Sequence, residues 1–304
     1  MRGLIIVNQI IGHNEYKIKR FKEEFFKQNV SLDVFVNDGT KAVIRDNHLY
    51  IKLPHADFVI YLDKDIYLAR ELEKAGYRLF NKADFIKMCD DKMLTNITCA
   101  NHNLRAPKTV AGPLFYGDKL KKENLTFLDQ VMHEVGMPLV VKENYGSLGT
   151  GVHLVKTKEE LVSLYKKLYR KPIQFQEYIA SSYGKTMRVL VIDQKVVGGF
   201  IRQNSGGDFR SNFGPNATSK KAENCDKFFE FAQKIADLLK IEYAGIDLMF
   251  GYGNEPVLCE INSNAFFEEF EKITNVNVAK KFADMVINKI NKENEQKQAK
   301  KSSR

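Results

Sequence analysis

The sequence predicts an α/β unit at the N-terminus followed by a larger, mostly antiparallel α+β region. Two observations carry this. Over the first third, short apolar strands alternate with amphipathic helical segments, the pattern of an open parallel sheet. Beyond Pro138, strands come as neighbours joined by glycine- or turn-rich loops, the pattern of hairpins. At 304 residues the chain is long enough for two or three units with well-formed cores.

The elements follow in order. Residues 4–7 (LIIV) read as a buried strand, 16–28 as a charged amphipathic helix, 32–36 as a second strand and 58–62 as a third. A helix through 68–72 stops at Gly76, and "YRLFN" gives a fourth strand ending at Asn81. Residues 82–103 are helical in pattern, and Ala106-Pro107 opens a new section. A helix at 127–135 ends at Gly136, strands at 138–142 and 151–155 flank a glycine loop, and a helix over 159–169 precedes a strand at 173–179. Paired strands at 187–192 and 196–203, a helix at 225–239, and strands at 245–250 and 257–262 around "GYGNEP" complete the chain. No repeat of fixed period occurs.

Composition limits the function classes. With 44% hydrophobic and 28% charged residues the chain is an ordinary globular one, and no segment approaches the ~20 apolar residues of a membrane span. No signal-like N-terminus is evident, so a cytoplasmic location is expected. The net charge is +9, and the last fourteen residues carry five positive and two negative charges with Ala299 as their only apolar residue. Residues 291–304 are therefore expected to be a disordered basic tail. The cysteines Cys89, Cys99, Cys225 and Cys259 form no C-x-x-C pair, and the histidines show no ligand spacing, so buried thiols are the better reading.

The stretch "VVKENYGSLGTGVHL" carries Lys142 ahead of Gly146, Gly149 and Gly151. A P-loop needs its lysine after the glycines, and a dinucleotide fingerprint needs G-x-G-x-x-G opening a helix; neither pattern is met. What remains is a strand, a glycine loop and a strand, with backbone N–H donors at the tip. Such a tip can cradle phosphate or can simply be flexible. Asp247, Glu260 and Asn262 break the tie. If the last hairpin centres on "GYGNEP", Gly251 faces Pro256 and Asp247 faces Glu260, and Asn262 shares their side by the period-two rule. Two carboxylates and an amide oxygen are hard ligands suited to Mg²⁺.

Lys92 in "DDKMLT", Lys142 in the glycine stretch, "QEYI" at 176–179, Arg188, "GGDFRSN" at 206–212, "GIDL" at 245–248 and "EIN" at 260–262 occur in the order seen in ATP-grasp ligases. The chain resembles most closely the RimK-like, alpha-L-glutamate ligase type branch, over roughly Val7 to Ile290. The resemblance implies a pre-ATP-grasp domain over 1–86. An ATP-grasp domain over 87–290 would follow, with a lid subdomain at about 107–180 and a C-terminal subdomain at about 181–290. It implies ATP as nucleotide and two Mg²⁺ ions, with Mn²⁺ an alternative. Lys92 and Lys142 would contact the α- and β-phosphates, and a mobile lid of Gly146, Ser147, Gly149, Thr150 and Gly151 would close over the β/γ end. Gln176, Glu177, Tyr178 and Ile179 would run along the adenine, and Asn212 would add a nucleotide contact. Asp247, Glu260 and Asn262 would hold the metals. Arg188, Arg202 and Arg210 would bind the carboxylate substrate and an acyl phosphate, since guanidinium forks suit both anions.

The implied reaction joins an amino acid, glutamate-like or other, to a peptide, carrier-protein or small-molecule acceptor. Three departures from the family pattern stand out: Thr186 where an aspartate is usual, "FGPNAT" where a Gly-Gly pair is common, and "SNAFF" after Asn262. The last two border the amino-acid and acceptor sites. Other readings are a ligase making free dipeptides, a nucleotide-binding regulator without turnover, and a nucleic-acid binder using the basic tail. For the last there is no RNP or helix-turn-helix signal. A homo-oligomer is compatible with the sequence.

Overall fold

The computed structural model describes residues 1–302 apart from Asp118, Leu148 and 212–215. Among these residues the first sheet is parallel, in the order β2 (Ser31–Val36), β1 (Arg2–Val7), β5 (Phe58–Tyr61), β6 (Leu79–Phe80). The apolar run of β1 is covered on both sides, as a parallel strand requires, and Leu4 to Val7 are fully buried. Helix α1 (His13–Phe26) turns Ile18, Phe21 and Phe25 inward, and α2 (Ile66–Lys74) is capped by Asp65. Between them β3 (Ala42–Arg45) and β4 (His48–Ile51) form a hairpin that the sequence reading missed.

The expected helical stretch 82–103 is two helices, α3 (Ala83–Asp90) and α4 (Lys92–Cys99). Asp91 separates them. Its backbone is extended, and its carboxylate accepts from the N–H groups of Met93 (2.9 Å) and Leu94 (3.2 Å), which starts α4 at Lys92.

The middle region is an antiparallel sheet in the order β7 (Thr109–Ala111), β10 (Ile173–Glu177), β8 (Leu139–Glu143), β9 (Val152–Val155). Helices α5 (Phe127–Val135) and α6 (Lys158–Leu168) pack on one side of it around Phe175, Tyr165 and Leu128. The last sheet, also antiparallel, runs β13 (Ala217–Lys221), β12 (Lys195–Asn204), β11 (Lys185–Ile192), β14 (Tyr243–Phe250), β15 (Pro256–Asn262). Helix α7 (Asp226–Leu239) covers one face with Phe228, Phe231, Ala232, Ile235 and Ala236, a clean helical stripe.

Two helices close the chain, α8 (Glu268–Thr274) and α9 (Val278–Ser302). Phe282, Val286 and Ile290 of α9 share one core with Phe21 and Phe25 of α1, Phe58, Phe80, Tyr243 and Phe267. The expectation of a disordered tail is corrected here: residues 291–302 continue α9, and Glu293 pairs with Arg78 at 3.0 Å. The segment lacks Gly and Pro and is rich in Lys, Glu and Gln, so a helix already nucleated by its docked first turns propagates into it.

Candidate active site

A cleft lies between the β7–β10–β8–β9 sheet and the face of β11, β14 and β15. Its wall contains Lys92, Lys142, Gly146, Ser147, Gly149, Thr150, the 176–179 segment, Arg202, Arg210, Asp247 and Glu260. Most of the residues singled out from sequence therefore converge on one cavity, although they come from two sheets, a helix and the loops between them. Gly151, Arg188 and Asn262 lie off its wall, and Asn212 lies outside the described residues.

Two lysines enter the cleft from different elements. Lys92 at the start of α4 is buried, and its ammonium donates to the carbonyls of Gly146 (2.7 Å) and Asn144 (3.4 Å), tying the helix to the glycine loop. Burial lowers its pKa, against the raising influence of Glu260 and with that of Lys142. Lys142 on β8 is also buried and has no ion-pair partner among the described residues. The loop beyond it needs its glycines. Gly149 has φ +75° and lies under Arg210, where a Cβ would come within 3.1 Å of that side chain. Gly151 has φ +72° and sits against Glu143. Arg210, oriented by Asp208 through two guanidinium bonds (3.0 and 2.7 Å), donates to the Gly149 carbonyl at 3.0 Å.

Below these cations lie the carboxylates. Asp247 of β14 stands opposite Glu260 of β15, as predicted, but by a different route. Phe250, not Gly251, faces Pro256, and a bulge between Asp247 and Leu248 restores the opposition. The bulge sets both Cys259 and Glu260 against the cleft, so two consecutive residues line it. Burial raises the Glu260 carboxyl, but Lys92, the Asn262 amide, Arg188 and Lys142 outweigh it and bring it to about 2. Asn262 donates to Glu260 (3.1 Å) and Asp247 (3.4 Å), joining the set.

Arg188 departs from its expected place. It sits directly across from Asp247 in the β11–β14 ladder, and its guanidinium grips both carboxylate oxygens, Nη2 to Oδ2 at 2.6 Å and Nε to Oδ1. Both partners are buried; Asp247 and its hydrogen bonds hold Arg188 charged against the penalty of burial. The fork faces the carboxylate below it, not the cavity. Arg202 remains on the cavity wall, pulled down by burial and by Arg188, and bonds Glu269 at 3.3 Å.

Along the far wall, formed in part by residues 177–179, the carboxylate of Glu177 accepts from Arg105 (2.8 and 2.9 Å) and from the Lys108 N–H (3.0 Å). Residues the sequence reading did not select also line it. Val140 and Met249 lie two residues from Lys142 and Asp247, so strand alternation was the available signal. Thr186, noted only as a departure, pairs its hydroxyl with that of Ser211 at 2.5 Å. Pro107 and Phe209 lie in irregular segments; Phe209 falls inside the "GGDFRSN" stretch but was not singled out from it.

The donor set fits Mg²⁺: two opposed carboxylates, one firmly ionised, and a neighbouring amide, a number that leaves room for nucleotide oxygens. Among the described residues no group of three or more His, Cys, Asp or Glu gathers, so a site built wholly from such ligands is absent there. No helix among them is long and apolar enough to cross a membrane.

Two antiparallel sheets gripping a cleft in which cations face carboxylates define the class, an ATP-grasp carbon–nitrogen ligase. Within it the chain belongs to the RimK-like family, for the RimK-like ATP-grasp domain matches residues 89–286. ATP and Mg²⁺ use, in general terms, come with that membership. The chain is 32% identical over 258 residues to the uncharacterized protein MG012 homolog of Mycoplasma pneumoniae, covering 83% of this chain and 86% of that one. It is 30% identical over 226 residues to N-acetylaspartylglutamate synthase A of Homo sapiens, covering 74% of this chain and 56% of that one. A RimK domain ATP-grasp protein of Sphaerobacter thermophilus superposes with a TM-score of 0.69 at 16% identity, over 94% of this chain and all of that one, a likeness of fold.

Proposed function

We propose that this ligase adds an amino acid, glutamate or one like it, to a peptide, carrier-protein or small-molecule acceptor, in two steps run in the cleft. In the first, a carboxylate oxygen attacks the γ-phosphorus of ATP, the bond to the bridging oxygen breaks, and an acyl phosphate and ADP result. In the second, an amine attacks the acyl carbon, the carbon–oxygen bond to phosphate breaks, and the amine loses a proton as the amide forms. Orientation and electrostatics supply most of such catalysis.

The observation that carries this reading is Lys142: a buried ammonium without an ion-pair partner among the described residues, beside Lys92 and beneath a glycine loop. Those two lysines bind the α- and β-phosphates, and the 146–151 loop donates N–H groups at the β/γ end. The backbone of 177–179 borders the base, with Val140 and Met249 against its faces. Asp247, Glu260 and Asn262 would hold Mg²⁺, which when bound supplies charge neutralisation at the phosphates. Arg202 and Arg210 bind the carboxylate and the acyl phosphate. Arg188 acts through Asp247 as a positioning residue.

An amino-acid substrate is supported by the human relative, which is named a synthase of N-acetylaspartylglutamate. The free-dipeptide alternative is separated by product analysis: ADP release screened over amino-acid pairs, with mass spectrometry of what forms. For the nucleotide site the test is Lys142→Ala. Losing a charge-assisted bond in a poorly hydrated site should weaken ATP binding roughly ten- to a hundredfold. Unchanged affinity in calorimetry would sink the phosphate assignment.

A further inference from the structure

Gln176 sits on β10 opposite Val140, with its side chain 1% exposed and on the cleft wall. Its amide nitrogen donates to the Thr109 hydroxyl at 2.9 Å, and its amide oxygen is buried with no hydrogen-bond partner among the described residues. Which end of the amide faces Thr109 follows from proton counting. The Thr109 hydroxyl lies 2.8 Å from the Pro107 carbonyl, which can only accept. The single hydroxyl proton is therefore committed to Pro107, and Thr109 can offer Gln176 only a lone pair. The group facing Thr109 must be the NH₂, and the carbonyl oxygen is turned the other way. A buried acceptor without a donor calls for one from whatever fills the cavity.

From this chain of bonds we infer that Pro107, Thr109 and Gln176 form a polarity lock that selects the purine. The inference rests on a nucleotide occupying this cleft with its base along residues 176–179. Adenine offers an exocyclic NH₂ at C6, a donor that satisfies the Gln176 oxygen; guanine offers a carbonyl oxygen there, an acceptor against an acceptor. A free glutamine could turn its amide over and accept either base. Thr109 prevents the turn because both of its own hydrogen-bonding roles are fixed. Thr109 is thus a specificity-determining residue that acts through Gln176, and Gln176 is the residue in contact with the base.

The test is calorimetric binding of ATP and of GTP to the full chain in Mg²⁺ buffer, with melting curves to verify folding. Wild type should bind ATP more tightly than GTP by at least roughly 30-fold, the scale of one good hydrogen bond exchanged for a buried mismatch. Thr109→Val, nearly isosteric, removes the lock; the ATP/GTP ratio should fall about tenfold, chiefly through tighter GTP binding. Thr109→Ser keeps the hydroxyl and should keep the ratio. Gln176→Leu, which removes the amide altogether, should lower the ratio through weaker ATP binding, and it serves if the valine variant does not fold. A ratio unchanged in both Thr109→Val and Gln176→Leu would assign discrimination to the 177–179 backbone and overturn the lock. So would wild type binding both nucleotides within about threefold. Failure of wild type to bind either nucleotide is a different outcome, and it would overturn the nucleotide site itself.

Discussion

The cleft floor and the seam between the first sheet and the last each bury cations, and they manage the burial in opposite ways. On the floor, Arg188 grips Asp247, and Lys92 and Lys142 lie in the field of Glu260. Every charge has an opposite charge near it. At the seam, Lys17 of α1 is fully buried with no carboxylate bonded to it among the described residues; its ammonium meets the Asn264 amide oxygen and lies 5.6 and 5.8 Å from the rings of Phe266 and Tyr243. Burial brings its pKa down to about 7, with Asp63 opposing. Arg188, gripped by Asp247, stays charged, whereas Lys17, given only an amide and rings, drifts toward neutrality. The floor is built to hold charge, the seam to hold two units together.

The comparison breaks most visibly at Arg188. Arg188→Leu leaves Asp247 buried beside Glu260 without its partner, and removing one member of a buried pair typically costs about 3–5 kcal/mol. Denaturant titration checks this, and a loss below about 1 kcal/mol would mean that the floor is wetter than its burial indicates. Glu260→Gln comes next. It keeps the shape but strips the charge that faces the lysines and the metal set, so amino-acid-dependent ADP release should drop by ~10²–10³. Because Lys92 and Lys142 lose their opposing charge, the variant should also melt somewhat lower. Near-normal turnover would reopen the metal assignment.

Lys17 sharpens the contrast through pH. Its pKa is about 7 in the folded chain and near the ordinary 10.5 when unfolded, so between those values the unfolded chain binds more protons. Stability from this group therefore rises with pH across that window, and at pH 6, where both states are protonated, the burial penalty is fully present. Lys17→Met should gain most in melting temperature over wild type near pH 6 and least near pH 10. A gap that stays constant between pH 6 and pH 10 would show Lys17 to be held charged. The smallest effect is expected from ending the chain after Ile290. The truncation loses the Arg78–Glu293 pair, but Arg78 keeps Glu242, so less than about 1 kcal/mol should go.

Much of the architecture was legible because alternation and glycine punctuation are local signals. The parallel first sheet, the glycine hairpin and the Asp247–Glu260 opposition were read from them. Yet that opposition depends on a bulge at Cys259 that hairpin counting cannot supply; two irregularities compensated. The β3–β4 hairpin was passed over although its Asp46-Asn47 turn, with φ of +51° and +60°, had a recognisable signature. Arg188 was misplaced for another reason. An arginine on a strand looks the same in sequence whether its fork meets a ligand or the carboxylate of the next strand. The Thr109–Gln176 contact joins residues 67 apart, and nothing in either neighbourhood announces it.

The core that joins α1 and the first sheet to α9 has a consequence for synthesis. Phe21, Phe25, Phe58 and Phe80 are made early, while the residues that cover them, Phe267, Phe282, Val286 and Ile290, leave the ribosome some 200 residues later. At about 5–20 residues per second the delay is on the order of 10–40 seconds, during which a wide aromatic face is uncovered. The emerging chain therefore carries this face uncovered until residues 267–290 arrive, and expressing residues 1–86 alone should yield a protein that aggregates.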